Sequence, residues 1–186
     1  MRDPKRVAIL ISGRGSNMRA LVERAENYEV ALVASNKPAA AGLQWARERG
    51  LTTWSIDSAG VEKLAYDRSL SAVLAEHQVG TIALAGFMRI LSPWFVEQWA
   101  GRIVNIHPSL LPKYRGLDTH ARALAAGDAV GGCSVHLVTE ELDAGEVLGQ
   151  AEVPILAGDT PDALQQRVLE AEHRLYAEVL NDFVLR

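Results

Sequence analysis

Cysteine is almost absent: Cys133 stands alone in 186 residues. A single thiol closes no internal disulfide, which fits a reducing compartment and excludes a small disulfide-built secreted scaffold. An excess of positive charge is missing too. The net charge of −4 argues against wholesale nucleic-acid binding. Long apolar runs are lacking. The first, Val7 to Ile11, follows Arg2-Asp3-Pro4-Lys5-Arg6 and is too short for a signal-peptide core or a membrane span. The expectation is a cytoplasmic protein without membrane or nucleic-acid partners.

Several signatures of catalysis are also missing. No His-Glu-x-x-His or Cys-x-x-Cys spacing supports a metal hydrolase, although His107, His120, His136 and Asp143 are ligand types. No metal is therefore expected. Ser109 lacks the Gly-x-Ser-x-Gly elbow, and Cys133 has no local base, so a serine or cysteine nucleophile is disfavoured.

What is present is globular: 48% hydrophobic and 23% charged residues, in a chain long enough for one domain with a real core. Short apolar runs alternate with helical spacing throughout. The runs predict strands at 7–11, 30–34, 51–56, 81–85, 103–106, 133–138 and 147–153. Helices are expected from about residue 18, at 40–49, 62–78, from Ser92-Pro93, at 119–126, and from Thr160-Pro161-Asp162 to near the end. This order predicts an α/β fold: a Rossmann-like, doubly wound, mostly parallel sheet of about seven strands, with an antiparallel C-terminal hairpin and a long last helix. That helix should bury Leu164, Val168, Ala171, Leu175 and Val179, with Glu172 and His173 off the centre of the stripe.

Three places carry chemistry. The first strand ends in Ser12-Gly13-Arg14-Gly15-Ser16-Asn17, a glycine-rich turn before a helix, which can present backbone N–H groups to an anion. No P-loop lysine follows. Met18 stands where a dinucleotide fingerprint wants a small residue, and Ser35-Asn36-Lys37 brings no acid to the second strand's end. The turn supports equally a site for one phosphate and a bare turn capped by Ser16. Next, Gly86-Phe87-Met88-Arg89-Ile90-Leu91 follows the fourth strand. It suits a flat, partly apolar ligand, though residue types alone favour side chains that plug the sheet edge.

The third place is Asn105-Ile106-His107-Pro108-Ser109-Leu110-Leu111-Pro112, answered later by Leu142-Asp143-Ala144-Gly145. Here an amide, an imidazole and a carboxylate stand at strand ends. Asn105 can donate to a developing oxyanion, His107 can carry charge or a proton, and Asp143 can set that charge or pass a proton. The set contains no nucleophile. It suits direct group transfer between two bound substrates.

Together these segments, colinear over nearly the whole chain, resemble the glycinamide ribonucleotide formyltransferases, within the wider 10-formyltetrahydrofolate transferase superfamily. The resemblance implies one domain over 1–186, with 1–100 holding the phosphate substrate and 101–186 carrying the catalytic residues and much of the folate pocket. It implies Gly13, Gly15, Ser16 and Asn17 at a phosphate and Glu172 at ribose hydroxyls. Met88, Arg89, Ile90 and Leu91 with Val138, Thr139, Glu140 and Glu141 would wall the folate pocket. Asn105 and His107 would bind the formyl oxygen, Asp143 would hold His107 protonated and take the amine's proton, and His136 and Ser134 would support them. The co-substrate implied is 10-formyltetrahydrofolate, without a metal, on a monomer or homodimer.

The sequence departs from the family pattern at Arg115 and Asp118, where a bacterial form is expected to have proline and histidine, and at Gly149, which replaces a bulky apolar residue. Arg115 and Asp118 lie in the loop expected to close over the site, 108–131. Rival readings are a methionyl-tRNA formyltransferase, which would add a basic C-terminal tRNA-binding domain, and a formyl-folate hydrolase, which would add an N-terminal regulatory domain. A non-catalytic nucleotide-binding module is a third.

Overall fold

A computed structural model describes residues 3–186. The elements are β1 (Asp3–Ile11), α1 (Ser16–Glu23), β2 (Glu29–Ser35), α2 (Ala41–Glu48), β3 (Thr53–Ser55), α3 (Lys63–Glu76), β4 (Val79–Leu84), α4 (Pro93–Gln98), β5 (Ile103–His107), α5 (Thr119–Ala125), β6 (Val130–Leu137), β7 (Val147–Pro154) and α6 (Pro161–Phe183). All seven strands join one sheet in the order β3-β2-β1-β4-β5-β6-β7.

The continuous apolar run of β1 is buried on both faces, as a central parallel strand requires. Val7, Ile9 and Ile11 pack with α1, α2 and α6 on one face. Ala8 and Leu10 pack with α3 and α4 on the other. Helix starts follow local chemistry. Ser92 Oγ accepts from Phe95 N with Pro93 in the first turn, and Thr160 Oγ1 accepts from Ala163 N ahead of Pro161. Gly50 follows α2 at φ +72°, the left-handed position that glycine fills without strain.

Three details differ from expectation. Gly15, in the left-handed region, caps α1, and Ser16 is its first residue without a side-chain cap bond. The third strand shrinks to three half-buried residues, because it is the sheet edge with only β2 beside it. Glu172 lies on the buried stripe of α6 at 7% exposure, beside Ala171 and Tyr176, while Leu175 and Val179 are only partly buried.

The parallel part runs from β3 to β5. β6 is antiparallel to both β5 and β7, so reversal begins one strand before the hairpin. Among the described residues no helix is long and apolar enough to cross a membrane.

Candidate active site

Side chains alternate along β5: Val104 and Ile106 enter the core beneath α6, which leaves Asn105 and His107 on the opposite face. Cys133, Val135 and Leu137 of β6 join the same core, so Ser134 and His136 share the face of Asn105 and His107. The register pairs Asn105 with His136 and His107 with Ser134. Cross-strand pairing therefore assembles four polar side chains from two segments remote in sequence.

Hydrogen-bond accounting fixes the protons. His136 Nδ1 lies 2.9 Å from the Leu137 carbonyl, which can only accept, so Nδ1 carries the hydrogen. Its Nε2 is then free to accept from Asn105 Nδ2 at 3.1 Å. Burial pushes the His136 imidazole below its usual range, consistent with a neutral ring. Asp143 Oδ1 stands 3.6 Å from His136 Nε2, and with no proton on that nitrogen the contact is not an ion pair. His136 Nε2 thus holds one N–H of the Asn105 amide.

His107 differs. Nε2 lies 2.9 Å from the Tyr114 carbonyl and Nδ1 lies 3.4 Å from Asp143 Oδ2. The Tyr114 carbonyl can only accept, so Nε2 carries a hydrogen, while Nδ1 faces the Asp143 carboxylate across an ion-pair distance without a hydrogen bond. At 3.4 Å the Nδ1 contact is longer than the roughly 2.7–2.9 Å of a charge-assisted bond, so Nδ1 is the less tightly held of the two ring nitrogens. Asp143 Oδ2 also accepts from Gly116 N at 2.9 Å, and Asp143 itself has φ +50°. Ser134 Oγ donates to the Ser109 carbonyl at 2.6 Å and accepts from Leu111 N at 3.0 Å, which pins the exit from β5.

At the glycine-rich turn, Asn17 Nδ2 donates to Glu172 Oε2 at 2.8 Å, and Asn17 Oδ1 is buried without a partner. Burial raises the Glu172 carboxyl, and the bond from Asn17 offsets part of that rise. Gly13 carbonyl accepts from Gly42 N at 3.0 Å, which docks the turn on α2. α1 thus opens at Gly15-Ser16-Asn17 beside the Glu172 carboxyl, an arrangement able to hold a phosphate and a neighbouring hydroxyl.

The loop after β4 is not the plug its residue types suggest. Met88 is 70% exposed and Ile90 69%, while Leu91 is buried and Phe87 half-buried in the second core. Arg89 turns back over the Tyr66 ring, 4.7 Å from its centre, with its guanidinium near the Ser58 and Val61 carbonyls. Of the facing segment, Val138 packs against the core and its N–H donates to Ile103 O at 2.9 Å. Thr139 Oγ1 donates to the Glu141 carbonyl, Glu140 is exposed, and Glu141 pairs with Arg115 at 2.7 Å. Leu142 and Leu117 are also exposed apolar side chains, at 59% and 73%. The loops around the polar set thus offer apolar surface to a ligand.

The model of the formyl transferase family aligns with residues 5–180. The chain belongs to the formyl transferase family. It is 48% identical over 182 residues to phosphoribosylglycinamide formyltransferase of Escherichia coli K12, covering 95% of this chain and 86% of that protein. It is 46% identical over 183 residues to the trifunctional purine biosynthetic protein adenosine-3 of Drosophila melanogaster, of which it spans only 14%. The crystal structure of phosphoribosylglycinamide formyltransferase from Brucella melitensis superposes with a TM-score of 0.92 at 46% identity, covering 98% of this chain and 96% of that one.

In this formyl transferase the sequence concealed several contributors. Ser12 Oγ donates to Asn36 Oδ1 at 2.6 Å and accepts from Met88 N at 2.8 Å, clipping the glycine-rich turn to the loop after β4. Gly116 N and the Tyr114 carbonyl meet Asp143 and His107 through backbone atoms, which no residue-type pattern signals. A cavity of about 800 Å³ lies beside the 108–114 segment and includes His120, Asp128 and Glu152, but none of Asn105, His107 or Asp143. Among the described residues no group of three or more His, Cys, Asp or Glu is arranged to hold a metal ion. His173 borders a separate 220 Å³ pocket beside α1, and burial lowers its imidazole.

Proposed function

We propose that this formyl transferase moves the formyl group of 10-formyltetrahydrofolate to the amine of glycinamide ribonucleotide, a step of purine synthesis, in the cytoplasm, as a monomer or homodimer. The observation that carries this reading is the likeness to the E. coli enzyme, which extends over 95% of the chain. The imidazole between two acceptors, beside a carboxamide, supports it.

The substrate amine attacks the formyl carbon, and the formyl oxygen takes up negative charge. Asn105 Nδ2 and His107 Nδ1 donate toward that oxygen, each well-aimed donor contributing about 3 kcal/mol. The amine gives up its proton to Asp143, directly or through one water, and Asp143 balances the charge on His107 until then. As the carbon–N10 bond breaks and the oxyanion returns to a carbonyl, N10 of the folate takes up the proton that Asp143 has received. Holding both reactants in line contributes roughly 7–11 kcal/mol in the best cases, so the scheme needs neither metal nor covalent intermediate.

Gly13, Gly15, Ser16 and Asn17 hold the phosphate and Glu172 the ribose hydroxyls. Met88, Arg89, Ile90 and Leu91, with Val138, Thr139, Glu140 and Glu141, enclose the folate. His136 and Ser134 keep Asn105 and the β5 exit in place. Residues 1–100 and 101–186 form the phosphate-binding and catalytic halves of one domain.

The test is a folate absorbance assay with purified protein, both substrates and a chelator control. Formyl loss that requires glycinamide ribonucleotide and persists with chelator supports the reading. Formyl loss to water alone would indicate a hydrolase.

A further inference from the structure

His107 Nε2 is held by a backbone carbonyl rather than a side chain, and that carbonyl belongs to a residue with φ +54°. A bulky residue keeps the left-handed conformation only where its surroundings impose it. The surroundings of Tyr114 converge on Asp128. The Tyr114 hydroxyl donates to Asp128 Oδ2 at 2.7 Å, and Lys113 Nζ lies 3.2 Å from both carboxylate oxygens. Asp128 is fixed in turn, since Asp128 N donates to the Ala123 carbonyl at the end of α5, just before β6 begins. Arg122 of α5 stands 5.2 Å from the centre of the Tyr114 ring and donates to the carbonyls of Arg115 and Leu117. Asp128 and His107 therefore grip opposite ends of one residue.

We infer that Asp128 is a positioning residue for His107: it holds the Tyr114 hydroxyl so that the Tyr114 carbonyl anchors Nε2 and leaves Nδ1 as the proton presented to substrate. The chemical consequence rests on the transfer proposed above. The His107 side chain is 7% exposed, so an Nε2–H that loses its acceptor has little solvent to turn to. Without that anchor the ring can turn over or give up the proton, and Nδ1–H is no longer fixed beside Asn105.

The variants are Asp128→Ala and Tyr114→Phe, with Asp128→Asn as the conservative form, because its amide oxygen still accepts from the tyrosine hydroxyl. Two readouts are taken: steady-state kcat and KM for both substrates, and the ¹⁵N resonance of His107 Nε2 in substrate-free protein labelled at histidine, assigned with His107→Gln. Asp128→Ala and Tyr114→Phe are expected to lower kcat by about tenfold, with each KM within about twofold, as for an interaction expressed in the transition state. Both should move the Nε2 resonance, and Asp128→Asn should restore most of kcat. An unmoved resonance overturns the proposal even if kcat falls, since a merely structural clamp would behave so. A kcat within twofold of wild type in both variants overturns it equally. If Asp128→Ala does not fold, Tyr114→Phe, which removes one oxygen, carries the test. A wild-type protein unable to formylate glycinamide ribonucleotide would defeat the proposed function, while the Nε2 resonance in Tyr114→Phe still decides whether the anchor exists.

Discussion

Asp143 touches both the imidazole of His107 and the backbone N–H of Gly116, so its charge and its shape are separable. Asp143→Asn keeps the shape and loses the charge. It should lower kcat by about 10²–10⁴, the usual weight of general acid–base catalysis, while the phosphate substrate still binds. Steady-state kinetics beside calorimetric titration would separate the two effects. Glu172 bears on stability as well. Its folded carboxyl is raised, so the folded state binds the extra proton, and stability falls as pH climbs from the ordinary glutamate value through the folded one. Glu172→Gln should therefore raise the melting temperature at pH 7, by about 2–4 °C for each kcal/mol of burial cost relieved. The gain should vanish below about pH 4.5, where the glutamate is protonated folded or unfolded. Thermal melts across pH test this, and a gain that persisted in acid would disprove it. Asn105 and His107 were legible as residue types on the fifth strand and Asp143 as a carboxylate in a turn, which falls in the loop between β6 and β7. The partners of His107 and Asp143 at Tyr114 and Gly116 were not, because backbone atoms carry no sequence label.

At the level of elements, the alternation of runs and helices exposed the parallel strands, but not the reversal at β6. Apolar period fixes which face a residue occupies and is silent about direction. Since β6 runs against β5, its end lies beside the start of β5, and the 138–146 loop must return to bring Asp143 to His107. Gly145 sits where that loop passes β6, and a Cβ there would strike the Leu137 carbonyl. Gly145→Ala should thus displace Asp143, lowering kcat and the melting temperature together, unlike Asp143→Asn. The salt bridge between Arg115 and Glu141 joins the two loops at the site, yet their side chains are 42% and 73% exposed. Glu141→Gln should change unfolding free energy by less than about 1 kcal/mol in a urea melt, as for exposed pairs in general. The exposed Met88 and Ile90 could not be read from residue types, because apolar residues are usually interior.

At the scale of the whole molecule, the two halves share one sheet through the pairing of β4 with β5, and α6 packs over strands from both. All four tryptophans, Trp45, Trp54, Trp94 and Trp99, precede residue 100, whereas Asn105, His107 and Asp143 follow it. Tryptophan fluorescence and catalytic activity should consequently be lost at the same urea concentration if the chain unfolds as one unit. Separate midpoints would divide it into two. During synthesis the strands up to β5 emerge first and bring the imidazole with them. Asp143 takes its place only once Glu146 pairs back onto Leu137, and Glu172 arrives only with the last helix. A nascent chain folded only through β5 thus holds the His107 imidazole without the Asp143 carboxylate that faces it.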